Sequence, residues 1–197
     1  MINKRNPHKT KSVRELGFVD ISSIKEAILA IPEEVWNVEN ESKPNKFNEL
    51  KKARHIVFRF VKNLQLCTDY YDNPIWEKWK DKLQPVLDNA VTAYGYEKGE
   101  FSRILLARLE AGGEIAAHKD GNKAATFPHK IHIPIQTNDK AFFFTNPNSY
   151  YFKEGQAYEV NNLGVHYAEN GGDTDRIHLI FEYFNPIHVQ EMLASQV

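Results

Sequence analysis

Near residue 100 the chain changes its period, and that change constrains the fold more than any other feature of its 197 residues. Before it, apolar residues recur at helical spacing. Ile24, Ala27, Ile28 and Ala30 form one run, and Trp76, Trp79, Leu83, Val86, Leu87 and Ala90 a longer one over about 75–93. After it come short segments of alternating polarity, at 101–109, 114–118, 129–136, 141–145, 157–160, 165–168 and 176–184. Gly112-Gly113, Gly121-Asn122, Pro147-Asn148, Gly155 and Gly171-Gly172 punctuate them as turns between strands. Helices first and many short strands afterwards predict a mainly β protein, a barrel or sandwich braced by N-terminal helices. The expected organisation is one domain over 1–197, with a flexible tail at 1–14, a helix-rich support at 15–99 and a β core at 100–185.

The support region reads as follows. Gly17–Ile21 is a short strand, and Ser22 or Ser23 caps a helix that Pro32 stops. Residues 37–53, polar and interrupted by Pro44, read as a long mobile loop of the kind that often serves function. His55–Val61 is a strand. Residues 1–14 carry five basic groups and no acid, with no apolar stretch behind them, so a secretory signal is not expected.

Two strands carry an unusual second face. In 129–136, Ile131, Ile133 and Ile135 alternate with Lys130, His132, Pro134 and Gln136. In 176–183, Ile177, Leu179, Phe181 and Tyr183 alternate with Arg176, His178, Ile180 and Glu182. A period of two puts each set on one side of a sheet. The apolar faces are expected to pack on the helices and the polar faces to line the inside of a small barrel. An interior bearing Lys, Arg and His is a site, because buried cations need anions or metal-bound ligands to offset desolvation.

Bulk composition narrows the partners. Lys and Arg total 25 against 26 Asp and Glu, so no global field attracts nucleic acid or an anionic membrane. No apolar run approaches the roughly 18 residues of a bilayer span. Cys67 is the only cysteine, which excludes an intrachain disulfide and favours a reducing, cytoplasmic setting.

His118-Lys119-Asp120 places an imidazole and a carboxylate at i and i+2, projecting the same way from an extended segment. His166 follows after room for several returning strands. Two His and one carboxylate on one face of an octahedron form the facial triad of non-haem Fe(II) oxygenases. Arg176 opens an apolar-backed strand ten residues later. A 2-oxoglutarate co-substrate chelates iron through its keto acid and needs a cation at its far carboxylate, a task suited to the rigid guanidinium fork. Each residue also has an ordinary reading. Arg176 can pair with Asp173, Asp175 or Glu182, and His118 and His166 can be plain strand or turn histidines.

The stretches RILLARLEAGGEIAAHKDG, HKIHIPIQTN and NNLGVHYAENGGDTDRIHLIFEYF resemble the aspartyl/asparaginyl β-hydroxylase-like family of 2-oxoglutarate oxygenases, over about residues 54–185. The resemblance implies a double-stranded β-helix, the jelly-roll or cupin-like barrel, over 100–185. It implies Fe(II) bound by His118, Asp120 and His166, and 2-oxoglutarate held at its C5 carboxylate by Arg176, with O2 as the second co-substrate. His132 matches the His of the family's Arg-x-His strand and is expected to contact 2-oxoglutarate. Lys130 stands where that motif has Arg, keeping the charge without the fork, and is expected to contact the co-substrate or the substrate. Asp120 completes a triad that mammalian-type peptide hydroxylases of the family leave at Gly. The substrate so implied is an amino acid, free or as an Asp/Asn-type residue in a peptide. Two other readings compete: a cupin-like metal enzyme that does not use 2-oxoglutarate, and a non-catalytic β-barrel binding or sensor protein. Arg176 argues against the first and the intact ligand set against the second.

Overall fold

The computed structural model describes residues 8–46 and 48–194. The chain opens with β1 (Val13–Phe18), α1 (Ser22–Leu29) and α2 (Glu33–Ser42), then crosses to β2 (Ala53–Val61), β3 (Tyr70–Asp72) and α3 (Trp76–Ala90). The strand-rich part supplies β4 (Glu100–Leu109), β5 (Glu114–His118), β6 (His129–Gln136), β7 (Ala141–Thr145), β8 (Asn148–Tyr151), β9 (Gln156–Val160), β10 (His166–Asn170) and β11 (Arg176–Phe184). α4 (Pro186–Ala194) follows. None of the described helices is long and apolar enough to cross a membrane.

All strand pairs are antiparallel and they make two sheets: β1-β9-β6-β11-β4-β2-β3 and β5-β10-β7-β8. The outer face of the large sheet carries the main core. Ile131, Ile133 and Ile135 of β6 and Ile177, Leu179 and Phe181 of β11 meet Ile24 and Ile28 of α1 and Leu83, Val86 and Leu87 of α3. Its inner face meets the small sheet, where Leu109, Tyr158 and Val160 pack on Phe143 and Ala168. This is the double-stranded β-helix architecture, and the two-faced strands sit at its centre as their alternation requires.

Three expectations for the first half need correction. The segment 37–53 is not a long loop. Residues 37–42 continue α2, and the remainder is a connection with one short 3-10 turn at Asn48–Leu50. Trp36, 1% exposed, anchors α2 in the core. No serine caps α1: the helix begins at Ser22, whose N–H is taken by the Asp20 carboxylate. In the expected tail, residues 1–7 lie outside the described residues, but 8–14 do not trail into solvent. Val13 begins β1, and buried Lys9 donates from Nζ to the Ala125 carbonyl at 2.9 Å.

Candidate active site

β5 ends at His118 and β10 begins at His166, and the two residues are register partners across the small sheet. Their rings lie 4.3 Å apart between centroids. Asp120 follows β5 by two residues and is fixed by its own backbone, since its N–H donates to the Asn162 carbonyl at 2.9 Å. One donor atom from each of His118, Asp120 and His166 falls within 4.8 Å of the others. Both tautomers are set from behind. Nδ1 of His118 donates to the Ala116 carbonyl (2.8 Å), and Nδ1 of His166 donates to Gly164 (3.0 Å). That leaves the two Nε2 lone pairs for a metal, the usual outer arrangement around ligating histidines. The donor set of two neutral imidazoles and one carboxylate fits iron(II).

Electrostatics prepares these ligands. Burial alone would raise the Asp120 pKa. The Lys130 ammonium, 2.5 Å from Oδ2, outweighs it, and with a smaller contribution from His166 holds the carboxyl well below the usual range. Burial, reinforced by Lys130, lowers His166 to about 4 against the opposing charge of Asp120, so the ring is neutral at physiological pH. Lys130 thus has Asp120 as its partner, where the family motif led us to expect contact with the co-substrate.

A small cavity, open on one side, lies beside the triad. Leu105, Ala107, Ile115, Phe143 and Ile180 wall it, and Lys130, His132 and Arg176 reach it from β6 and β11. Arg176 is 4% exposed, and none of the acids considered as its partner takes it. Glu182 is bound by Arg103, and Asp175 lies against Arg108. The only described side-chain partner of Arg176 is His178, whose Nδ1 accepts from Nη2 at 3.0 Å. Burial lowers the guanidinium to about 9, still charged at neutral pH. Nε2 of His132 and of His178 have no hydrogen-bond partner, an arrangement uncommon for buried polar atoms. A buried cation without a counter-charge, beside unsatisfied imidazoles, fits a carboxylate-bearing ligand.

Other residues settle into structural roles. Arg103 and Arg108, considered for substrate binding, are committed to Glu182 and Glu33 respectively. Of the aromatic residues in 142–152, Phe143 lines the cavity, and Phe152 packs on it while touching the His132 and His178 rings. Phe144 instead stacks outside on Tyr167. Sequence reasoning missed Asn45, Leu50 and His55, which form a further wall of the cavity. Their signal was weak, since they come from a polar connection and from a strand read as ordinary core.

Known proteins share this fold. The fold resembles that of a 2OG-Fe(II) oxygenase family oxidoreductase from Burkholderia pseudomallei, at 14% identity over 67% of each chain and a TM-score of 0.52. It also resembles the non-heme monooxygenase ThoJ, seen as a nickel complex, at 13% identity over 89% of this chain and 74% of that one, TM-score 0.53. EvdMO1 superposes at 13% identity and a TM-score of 0.57, over 89% of this chain and 47% of the other. Identities this low carry the fold alone. No curated protein matches the chain in sequence. A family model of aspartyl/asparaginyl beta-hydroxylase does match, over residues 30–186. That span is most of the chain and contains both histidines, the aspartate and the arginine, so the protein belongs to the aspartyl/asparaginyl β-hydroxylase family and is a 2-oxoglutarate-dependent iron oxygenase.

Proposed function

We propose that this oxygenase hydroxylates an amino-acid unit, either free or as an Asp/Asn-type residue of a peptide. In this reading Nε2 of His118, Nε2 of His166 and the Asp120 carboxylate hold iron, and Arg176 holds the C5 carboxylate of 2-oxoglutarate. Iron held there would supply O2 activation, in which one oxygen atom would go to succinate as 2-oxoglutarate loses CO2 and the other to the hydroxylated C–H bond. The observation that carries the reading is Arg176, a guanidinium buried without a carboxylate partner and facing the same cavity as the triad. His132, on the cavity wall with Arg176, would contact the same co-substrate in this reading. Lys130 keeps Asp120 ionised and oriented, and the apolar walls keep water from the reacting carbon.

Access for the prime substrate comes from outside the barrel. An open groove runs along Leu64, Ala117, Lys119, Gly121 and Asn122 to reach His118 and Asp120. Leu50 belongs to both groove and cavity. The test is succinate release from 2-oxoglutarate by iron-loaded protein, over a panel of free and peptide-embedded amino acids. The expected result is turnover stimulated by one chemical class of the panel, with a mass gain of one oxygen. Absence of both coupled and uncoupled succinate formation would remove the reading.

A further inference from the structure

Asn45, Leu50 and His55 form one wall of the cavity, and nothing in the iron or 2-oxoglutarate assignment uses the two polar groups among them. Asn45 is 6% exposed, lines the cavity, and its Oδ1 is buried without a hydrogen-bond partner. His55, 3% exposed, lines the same cavity. Its tautomer is fixed from behind. The Lys43 ammonium, a donor only, sits 3.0 Å from His55 Nδ1 and also donates to the carbonyls of Ala53 (3.0 Å) and Leu50 (3.4 Å). Nδ1 is therefore the acceptor and Nε2 carries the hydrogen. Among the described residues Nε2 has no hydrogen-bond partner. Burial and the neighbouring Lys43 push His55 down to about 3, so the ring stays neutral.

The geometry points to Asn45 and His55 as specificity-determining residues for the prime substrate, which they engage through an uncharged group that both accepts and donates a hydrogen bond, an amide being the simplest. The inference rests on the proposed function, in which Arg176 is already committed to 2-oxoglutarate and Lys130 to Asp120. An ammonium at this wall would face the Lys43 charge, and a carboxylate would face the Asn45 carbonyl oxygen. Neither ion would be answered by both groups, and each would leave one buried polar atom unpaired. An amide satisfies both walls at once, its oxygen accepting from His55 Nε2–H and its N–H donating to Asn45 Oδ1. A site with fixed polar partners also discriminates strongly, since a ligand that cannot answer them leaves buried groups unpaired.

The test uses full-length isotope-labelled protein loaded with Zn(II) and 2-oxoglutarate, titrated separately with acetamide, methylammonium and acetate. The nuclear magnetic resonances read are the Asn45 side-chain amide, the His55 Nε2–H and the Arg176 guanidinium. Acetamide is expected to shift the Asn45 and His55 signals saturably, with an apparent affinity at least about tenfold tighter than either ion. Asn45→Asp is expected to turn that preference towards methylammonium, a reversal that a merely structural residue would not produce. Absence of an acetamide response, or equal or tighter binding of an ion, overturns the inference. The Arg176 signal separates the two claims. If it responds to 2-oxoglutarate while Asn45 and His55 ignore acetamide, the wall assignment alone fails; if it ignores 2-oxoglutarate, the co-substrate assignment fails.

Discussion

Arg176→Gln is the sharpest single perturbation, because the structure predicts opposite effects with and without the co-substrate. Without 2-oxoglutarate the guanidinium is buried with only a neutral imidazole for a partner, and burial has already lowered it to about 9. Replacing it by an uncharged side chain of similar reach removes an unfavourable desolvation, so the apo protein should hold its stability or gain up to about 1 kcal/mol. For a domain this size that is an increase of roughly 2–4 °C in the unfolding midpoint. With 2-oxoglutarate the balance reverses. The C5 carboxylate would be buried without its cation, and breaking a buried pair costs about 3–5 kcal/mol, or roughly two to four orders of magnitude in affinity. The assay is calorimetric titration of 2-oxoglutarate into zinc-loaded wild type and variant, beside thermal unfolding with and without the ligand. At one hundred times its dissociation constant the ligand stabilises wild type by about 2.7 kcal/mol, and the variant should show almost none of this at the same concentration. Zinc affinity should change by less than about threefold, since Arg176 is not among the grouped ligands. Two results would refute the reasoning. An unchanged 2-oxoglutarate affinity would take Arg176 out of co-substrate binding. A fall of several degrees in the apo midpoint with metal affinity lost in parallel would make it structural.

Protonation gives a second prediction. The Arg176 charge is complete below about 9 and lost above it, so kcat/KM for 2-oxoglutarate should be level through neutral pH and fall as pH rises past about 9, as a pH–rate profile would record. For stability the sign is also defined: the unfolded arginine binds a proton that the folded one releases near 9, so this residue's destabilising contribution fades as pH rises from there. Lys130→Met should remove the main charge opposing burial at Asp120 and raise its pKa, so metal titrations should show weaker binding at pH 6 than at pH 8, a difference larger than in wild type. Deleting residues 1–12 removes the Lys9 donor from Ala125 and the Ser12 partner of Thr145 and Tyr150. At about 0.5–1.5 kcal/mol for each hydrogen bond lost, melting should drop by several degrees. An unchanged melting point would return this segment to the status of a tail.

The fold was legible where one strand face was uniformly apolar. β5, β6, β7 and β11 begin and end where their alternation does, because each alternating residue has a fixed side to occupy. β3 and β8 escaped notice because they are three and four residues long and are held by pairing with β2 and β7, partners that a local pattern cannot display. α2 was hidden for a related reason. Its one buried residue is Trp36, so it has almost no apolar stripe, and tertiary contacts supply what periodicity lacks. Glu33 receives Arg108, while the Asn40 side chain accepts the His55 backbone N–H. The triad could be read because His118 and Asp120 sit two residues apart on an extended segment. The pairing of Lys130 with Asp120 joins separate elements, and the family motif pointed it elsewhere.

The same two strands solve both problems of this molecule, and that explains how it tolerates so polar an interior. β6 and β11 are neighbours inside the large sheet, with Phe181 opposite Ile131 and Leu179 opposite Ile133. Those odd-numbered residues are fully buried against the helices, which gives the strands a rigid and strongly stabilised back. Their even-numbered residues Lys130, His132, Arg176 and His178 then project from the opposite face in fixed positions. An unpaired guanidinium and unsatisfied imidazoles destabilise any fold, but the penalty falls on elements whose other face supplies a large share of the core. A mobile loop carrying the same groups would turn them to water and lose the preorganisation that binding a dicarboxylate and a metal requires. Lys43 and His55 extend the same logic to the remaining wall: the imidazole is held from behind by a buried ammonium, with its other nitrogen on the side of the cavity.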